Sequence, residues 1–333
     1  MNKGELLRQI KIDKGTFGDI HVMRFYSSFV TVSGGKVVRA TTPSLAYCPL
    51  ANFLYDEIRH SKDFDPETMR KTIKKIVGKK ISEFGFFTKE RELFRSDIAI
   101  PYGASEMLMY AMRKKIVDAA VIVCDGAGTV IVDVPEVVQG IGARMNGLFY
   151  TSPVGRTRKR LKEAGCEIVF PDALIDQVKG VERAAELGYK NIAVTINVLM
   201  DEDFKKLKKI ERKYNVSVTS LAICTTGAAE ERIREIEKYS DVVWSCASGK
   251  VRELTGRKAI LQLSKKIPVF VLTQKGLDLI SGYSSAEQLI KSLNPEKQYI
   301  LDSTREGKRL ETGNFEAYLR ETTLPVRSKN EPK

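Results

Sequence analysis

Histidine is nearly absent from this chain: His21 and His60 are the only two in 333 residues. Neither has a Glu or His partner at metal-ligand spacing, which excludes a histidine-based zinc site and a Ser-His-Asp hydrolase. Long hydrophobic runs are missing too. No stretch reaches the roughly 18 consecutive apolar residues of a membrane span, and MNKGELLRQIKIDKG carries no secretory h-region. A soluble, cytoplasmic protein without a membrane partner is expected. The five cysteines include no C-x-x-C pair, so they make neither a disulfide framework nor a local metal motif. A hydrophobic fraction of 43% and a charged fraction of 29% exclude bulk disorder. The length suits one large domain or two modest ones.

Positive charge is abundant. Lys and Arg number 55 against 42 Asp and Glu, a formal charge of +13. The basic residues gather where the spacing is helical, as in Lys205, Lys206, Lys208, Lys209, Arg212 and Lys213, and read as solvated helix faces. No nucleic-acid-binding signature accompanies them, so nucleic acid is not an expected partner. VGRTRKRLK (154–162) is the densest basic run and the best local candidate for an anion-handling surface.

From residue 103 onward, short β-rich runs alternate with amphipathic helical patterns. DAAVIVC (118–124), CEIVF (166–170), NIAVTINV (191–198), VSVTSLAIC (216–224), DVVWSC (241–246) and IPVFVLT (267–273) read as strands. VRELTGRKAILQLSKK reads as helix. The expected fold is α/β: a mostly parallel sheet with helices on both faces, Rossmann-like but without a dinucleotide fingerprint. Residues 1–102 read as a small N-terminal α+β subdomain, with a hairpin turning at SGGK and a capped helix over 65–81. Residues 103–290 make the sheet domain. Residues 291–333 read as a polar C-terminal extension, disordered over its last ten or so residues and dispensable for folding beyond about Pro325.

Ligands of a parallel sheet bind at the carboxyl ends of its strands. Cys124, Cys224 and Cys246 each end a predicted strand there, Cys166 starts one at the opposite edge, and Cys48 lies in the loop YCPL. Thiolates at loop mouths suit an iron–sulfur cluster or a soft metal, and equally serve as small apolar fillers. Gly126 and Gly128 begin a dinucleotide-like G-x-G, but Ile131 stands at the third glycine position and TVIV is β-prone where a helix should open, so no NAD is expected. Those glycines, together with Gly140 and Gly142 around Arg144 and with Thr225, Thr226 and Gly227, can offer amides and a guanidinium to a small anion. Cys124 and Asp125 are the candidate catalytic pair, as nucleophile and as acid or base. Asp133, Asp172, Asp176 and Glu106 fall near the same rim.

Several segments resemble the family called methanogenesis marker protein 8: AYCPL (46–50), EFGFFT (83–88), VDAAVIVCDGAGTVI (117–131), VQGIGARMNGL (138–148), IDQVKGVERAAELGYKNIAVT (175–195), TTG (225–227), CASGKVRE (246–253) and IPVFVLTQKGLDL (267–279). The resemblance covers about residues 36–280. It implies an anaerobic, cytoplasmic setting and a link to the methyl-coenzyme M reductase system or an analogous larger enzyme complex. Cys48, Cys124 and Cys246 fall inside the family-like motifs and become the candidate ligands of a [4Fe-4S] cluster, with one iron left open.

Three readings remain open at this point. The first is an iron–sulfur or metal-binding accessory protein, maturation factor or enzyme. The second is a metal-free enzyme that holds a small anionic metabolite through its glycine-rich loops and Arg144. The third is a non-catalytic assembly factor that docks on a larger enzyme.

Overall fold

The computed structural model describes residues 18–59, 65–200 and 203–328. His60 and the last five residues lie outside the described residues. Two sheets organise the fold. The smaller begins with β1 (His21–Phe25), β2 (Ser28–Ser33) and β3 (Lys36–Ala40). Gly34 and Gly35 make the β2–β3 turn, both with φ near +60°, at 55° and 69°; side-chain-bearing residues pay a steric cost in that region. The helix Pro66–Phe84 covers this sheet. Asp65 caps it by accepting from the amides of Glu67 and Thr68, and Met69, Ile73, Ile76 and Val77 line its buried face.

The larger sheet is built from β4 (Ala119–Cys124) and β5 (Gly128–Val132), then, past β6 (Gly147–Thr151), from β7 (Glu167–Ile168), β8 (Asn191–Asn197) and β9 (Ser217–Ile223). β10 (Val242–Trp244), β11 (Leu261–Leu263), β12 (Val269–Val271), β13 (Tyr299–Asp302), β14 (Lys308–Thr312) and β15 (Phe315–Glu321) complete it. Its order is β14-β15-β13-β11-β12-β10-β9-β8-β4-β5-β7. β4, β8, β9 and β10 are parallel neighbours, so the four strands read from DAAVIVC, NIAVTINV, VSVTSLAIC and DVVWSC do share one sheet.

The expectation of a mostly parallel sheet needs correction. Of the ten pairings in the larger sheet, four are parallel and six antiparallel. The architecture is mixed α/β. The reason is local: β4 folds straight back into β5, β12 runs against both β10 and β11, and β14–β15 form a hairpin. Leu261–Leu263, read as helix, is strand β11 between β12 and β13, because Leu261 and Leu263 are wholly buried there.

Side-chain alternation sorts the core into two layers. Ala120, Ile122, Ala193, Leu221 and Val242 face the helices over 104–113, 135–142 and 274–282. Ala119, Val121, Val194, Ile196, Val218 and Val243 face those over 177–186, 204–214 and 230–239. The helix Phe204–Tyr214 buries Phe204, Leu207 and Ile210 and turns its lysines outward, as its period of 3.6 dictates. No helix among the described residues is long and apolar enough to cross a membrane.

The sequence intervals drawn at 102 and 291 are crossed by strand pairing. β6 leaves the main layer to pair antiparallel with β1, completing the small sheet in the order β3-β2-β1-β6. Residues 299–321, expected as a polar extension, are three strands of the large sheet. Leu324, expected near the start of a disordered end, is buried with Ala259, Phe270 and Ile300. Gln262 donates to the Val326 carbonyl at 2.8 Å and accepts from its amide at 2.9 Å. Leu324→Ala should therefore lower stability by about 2–5 kcal/mol in urea unfolding. A change of a few tenths would return this segment to the dispensable tail.

Candidate functional site

The carboxyl ends of β8, β9 and β10 open toward the small sheet, and a cavity of about 250 Å³ lies between them. Alternation on β8 prepares it. Ile192, Val194 and Ile196 go to the opposite face, which leaves Thr195 and Asn197 on the cavity side. Leu108, Ile122, Val138, Ile141, Leu148 and Trp244 supply apolar wall. Trp244 donates to the Tyr102 carbonyl at 3.1 Å, which ties the wall to the start of the 104–113 helix.

Three thiols face this space: Cys48, Cys224 and Cys246. Cys48 immediately precedes the helix Pro49–Leu54, and the other two stand just after β9 and β10. Cys224 and Cys246 have φ of 59° and 48°, and Tyr26, Ser27 and Arg144 on the same wall are also left-handed. Such backbone is uncommon without glycine and collects at functional sites. Burial raises all three thiols above the ordinary value, Cys48 to about 11 and Cys224 to about 12. The backbone amides of Thr225 and Cys224 pull Cys246 the other way. At neutral pH the three are protonated.

Arg24, on β1, faces all three sulfurs. Burial lowers its pKa and the thiols offset that. One terminal nitrogen donates to the Thr226 carbonyl at 2.6 Å, but its buried Nε has no partner among the described residues. Asn197 is in the same condition. Only 3% exposed, it accepts from the Leu199 amide at 3.1 Å through Oδ1, and its Nδ2 is left with no acceptor. Buried donors without acceptors are costly and rare, so two on one small cavity mark a place for an acceptor-bearing ligand.

Arg144 reaches the cavity from the turn after the 135–142 helix. Lys80 braces that turn, donating to the Arg144 carbonyl at 2.6 Å and to Asn146 Oδ1. Phe25, Tyr55 and Phe86 surround the ammonium. Burial, with Arg144 and Arg91 nearby, brings Lys80 down to about 7. Glu106 also lines the cavity, its oxygens engaged by the Ala99 and Ile100 amides and the Ser105 hydroxyl.

Of the residues singled out from sequence, Cys48, Cys246, Arg144, Gly142, Thr226 and Glu106 line this cavity. Thr225 is buried beside it and donates to the Trp244 carbonyl at 2.7 Å; a Cβ at Gly227 would sit 3.5 Å from an Arg24 nitrogen. Cys124, Asp125, Gly126, Gly128 and Gly140 do not line it. Cys124 ends β4 at a tight turn into β5 and is fully buried in the core, its thiol also raised by burial. Asp125 is 1% exposed; it accepts from Arg91 Nε at 2.8 Å and from the Phe87 amide at 2.6 Å. Gly128 closes the turn where a Cβ would sit 2.4 Å from the Ala173 carbonyl. Gly140 and Gly142 let the 135–142 helix pass close to Leu93 and Ser105.

Sequence reasoning missed Arg24 and Asn197 and set Cys224 aside from the ligand set. The signal for Asn197 was a polar residue on the inward phase of an otherwise apolar strand. Among the described residues, no group of three or more Cys, His, Asp or Glu is spaced to hold a metal ion. The three cavity thiols face one space without forming a closed ligand set, so as they stand they do not fit a cluster.

The chain belongs to the family described as "Uncharacterized protein conserved in archaea (DUF2099)", whose profile matches residues 21–283. It is 38% identical to "Uncharacterized protein MJ0054" of Methanocaldococcus jannaschii over 264 residues, 79% of this chain and 89% of that protein.

With its thiol at about 11 rather than 9.0, Cys48 should react with iodoacetamide about a hundredfold more slowly than a free cysteine at neutral pH. The rate should climb about tenfold per pH unit until the thiol titrates. Peptide mapping after timed alkylation measures it, and rapid neutral labelling of Cys48 would contradict the protonated state.

Proposed function

We propose that this archaeal family member binds a small anionic ligand in the thiol-lined cavity, as the binding step of an enzyme or of a ligand-carrying protein. The observation that carries the reading is the pair of buried donors without acceptors, Arg24 Nε and Asn197 Nδ2, on one cavity. A carboxylate, sulfonate or phosphate brought against Arg24 and Asn197 would supply the acceptors these donors lack. Arg144 adds a second guanidinium on the same wall, and the apolar side chains take the ligand's body. The cavity volume is about 250 Å³. A space of this size suits a compact ligand.

The neutral thiols suit this role. Three thiolates around the cavity would repel an anion, whereas protonated sulfurs leave Arg24 as a net positive charge. The resemblance to methanogenesis marker protein 8 supplies the wider proposal: an anaerobic, cytoplasmic setting and a link to the methyl-coenzyme M reductase system or an analogue.

A second reading draws on the same sulfurs: a [4Fe-4S] cluster on Cys48, Cys224 and Cys246, with Cys224 in the place first given to Cys124. It requires loop movement to close the ligand set. Stoichiometric iron and sulfide after anaerobic isolation, lost on replacing any of those three but kept in Cys124→Ser, would favour it.

The test of the anion reading is a thermal-shift series with millimolar short carboxylates, sulfonates and phosphates. At least one class should raise the Tm of the native protein. Asn197→Asp keeps the Leu199 contact but puts a negative charge where the donor stood. It should weaken binding at least tenfold, since one charge-assisted bond contributes about 1.5–3 kcal/mol. Arg24→Met should do the same. If both variants respond to every anion as the native protein does, the reading fails.

A further inference from the structure

The cavity holds more reduced sulfur than anion binding requires, and two of its thiols are placed as a pair. β9 and β10 are hydrogen-bonded parallel neighbours, with Val242 opposite Leu221 and Val243 opposite Ala222. Cys224 directly follows β9 and Cys246 stands two residues past the end of β10, and both line the cavity. Paired strands lie about 4.8 Å apart, so residues leaving two such neighbours at one edge start close to the roughly 4.4–6.8 Å between Cα atoms that a disulfide spans. Both cysteines leave their strands through left-handed backbone at the same sheet edge. The proximity is also direct: the Cys246 sulfur meets the backbone amides of Thr225 and Cys224. Both residues are half-buried, whereas Cys124 and Cys166 are buried. Arg24 faces both sulfurs and carries the donor that lacks an acceptor.

We infer that Cys224 and Cys246 form a reversible dithiol–disulfide pair that exchanges with a small anionic disulfide held at Arg24. The pairing of the two cysteines stands on strand geometry. The choice of an anionic co-reactant rests on the anion reading above.

Cys246 is the attacking thiol, because the Thr225 and Cys224 amides and Arg252 stabilise its thiolate. Its sulfur bonds to one sulfur of the bound disulfide, the exogenous S–S bond breaks, and the departing thiolate takes up the proton that Cys246 lost. Cys224 then attacks the mixed disulfide at the Cys246 sulfur and gives up its own proton to the second departing thiolate. Two protein thiols and one small disulfide become one protein disulfide and two small thiols. Two electrons pass from the protein to the ligand, and small thiols of the same class run the exchange backward. Because burial disfavours both thiolates, the forward step is slow at neutral pH and speeds up as pH rises.

The test uses the reduced full chain under anaerobic conditions with two probes, 3,3′-dithiodipropionate (anionic) and bis(2-hydroxyethyl) disulfide (neutral). Each rate is normalised to the same probe's reaction with dithiothreitol, and products are read by differential alkylation and peptide mapping. The expected product is a Cys224–Cys246 cross-linked peptide, reversed by excess thiol, with Cys124 and Cys166 alkylated only after unfolding. The anionic probe should be favoured at least about tenfold, and Arg24→Met should abolish that preference. Should neither probe produce the internal disulfide, or should mixed disulfides persist without pairing, the inference is overturned on the native protein itself. If the pair forms at equal normalised rates with both probes, the dithiol survives and the anionic co-reactant falls, together with Arg24 as its selector.

Discussion

The ion pair between Arg91 and Asp125 is the fastening on which the rest of the molecule depends. Both side chains are 1% exposed, and every strong contact they need is present. Asp125 holds the Phe87 amide as well as Arg91, and Arg91 also donates to the Ile141 carbonyl at 2.9 Å and lies over the Phe86 ring. One pair therefore joins the β4–β5 turn of the large sheet, the aromatic segment that packs on the small sheet, and the end of the helix that leads to Arg144. Removing either partner would leave an uncompensated buried charge, which costs about 3–5 kcal/mol. Asp125 follows a strand-ending cysteine at the sheet's functional edge and so resembles a catalytic acid in sequence. In the fold it is buried against Arg91 and the Phe87 amide, away from the thiol-lined cavity.

With the two sheets held in this way, the cavity follows from strand polarity and from what each strand end does next. β8, β9 and β10 run parallel and end together, and each opens into a loop that the small sheet roofs over. β4 ends at the same edge but folds straight back into β5, which draws Cys124 into the core. Cys224 and Cys124 thus have the same strand-end position and opposite surroundings. The difference is a tight antiparallel turn.

The electrostatics of the cavity are consistent with its packing. Burial keeps the sulfurs neutral, and Arg24 carries one of the two buried donors without a partner among the described residues. Arg144 stands on a turn braced by a lysine that burial has brought down to about 7, within a ring of aromatic side chains. The overall basic charge is a separate matter. Much of it lies on outward helix faces such as that of Phe204–Tyr214, where many lysines pair with neighbouring acids, as Lys208 does with Glu211 and Lys213 with Glu182.

Local chemistry made much of the fold legible. The Asp65-capped helix, the Gly34–Gly35 hairpin, the four parallel strands and the sheet edge at which thiols gather all follow from periods, caps and turns within a few residues. The sequence by itself determined which residues alternate toward the two core layers, since side-chain direction in a strand or helix is set by neighbours in the chain. It did not determine strand direction at the margins, because short apolar runs such as ILQL have no period that separates buried strand from buried helix. Nor did it determine which thiols meet. Cys48 and Cys246 lie some 200 residues apart (246 less 48), and Arg24 and Asn197 come from different sheets. Their convergence depends on β6 crossing to pair with β1, a long-range contact that local pattern does not encode. Only the tertiary structure decided that two buried donors without partners belong to one cavity lining, because that depends on how the sheets meet and not on either residue.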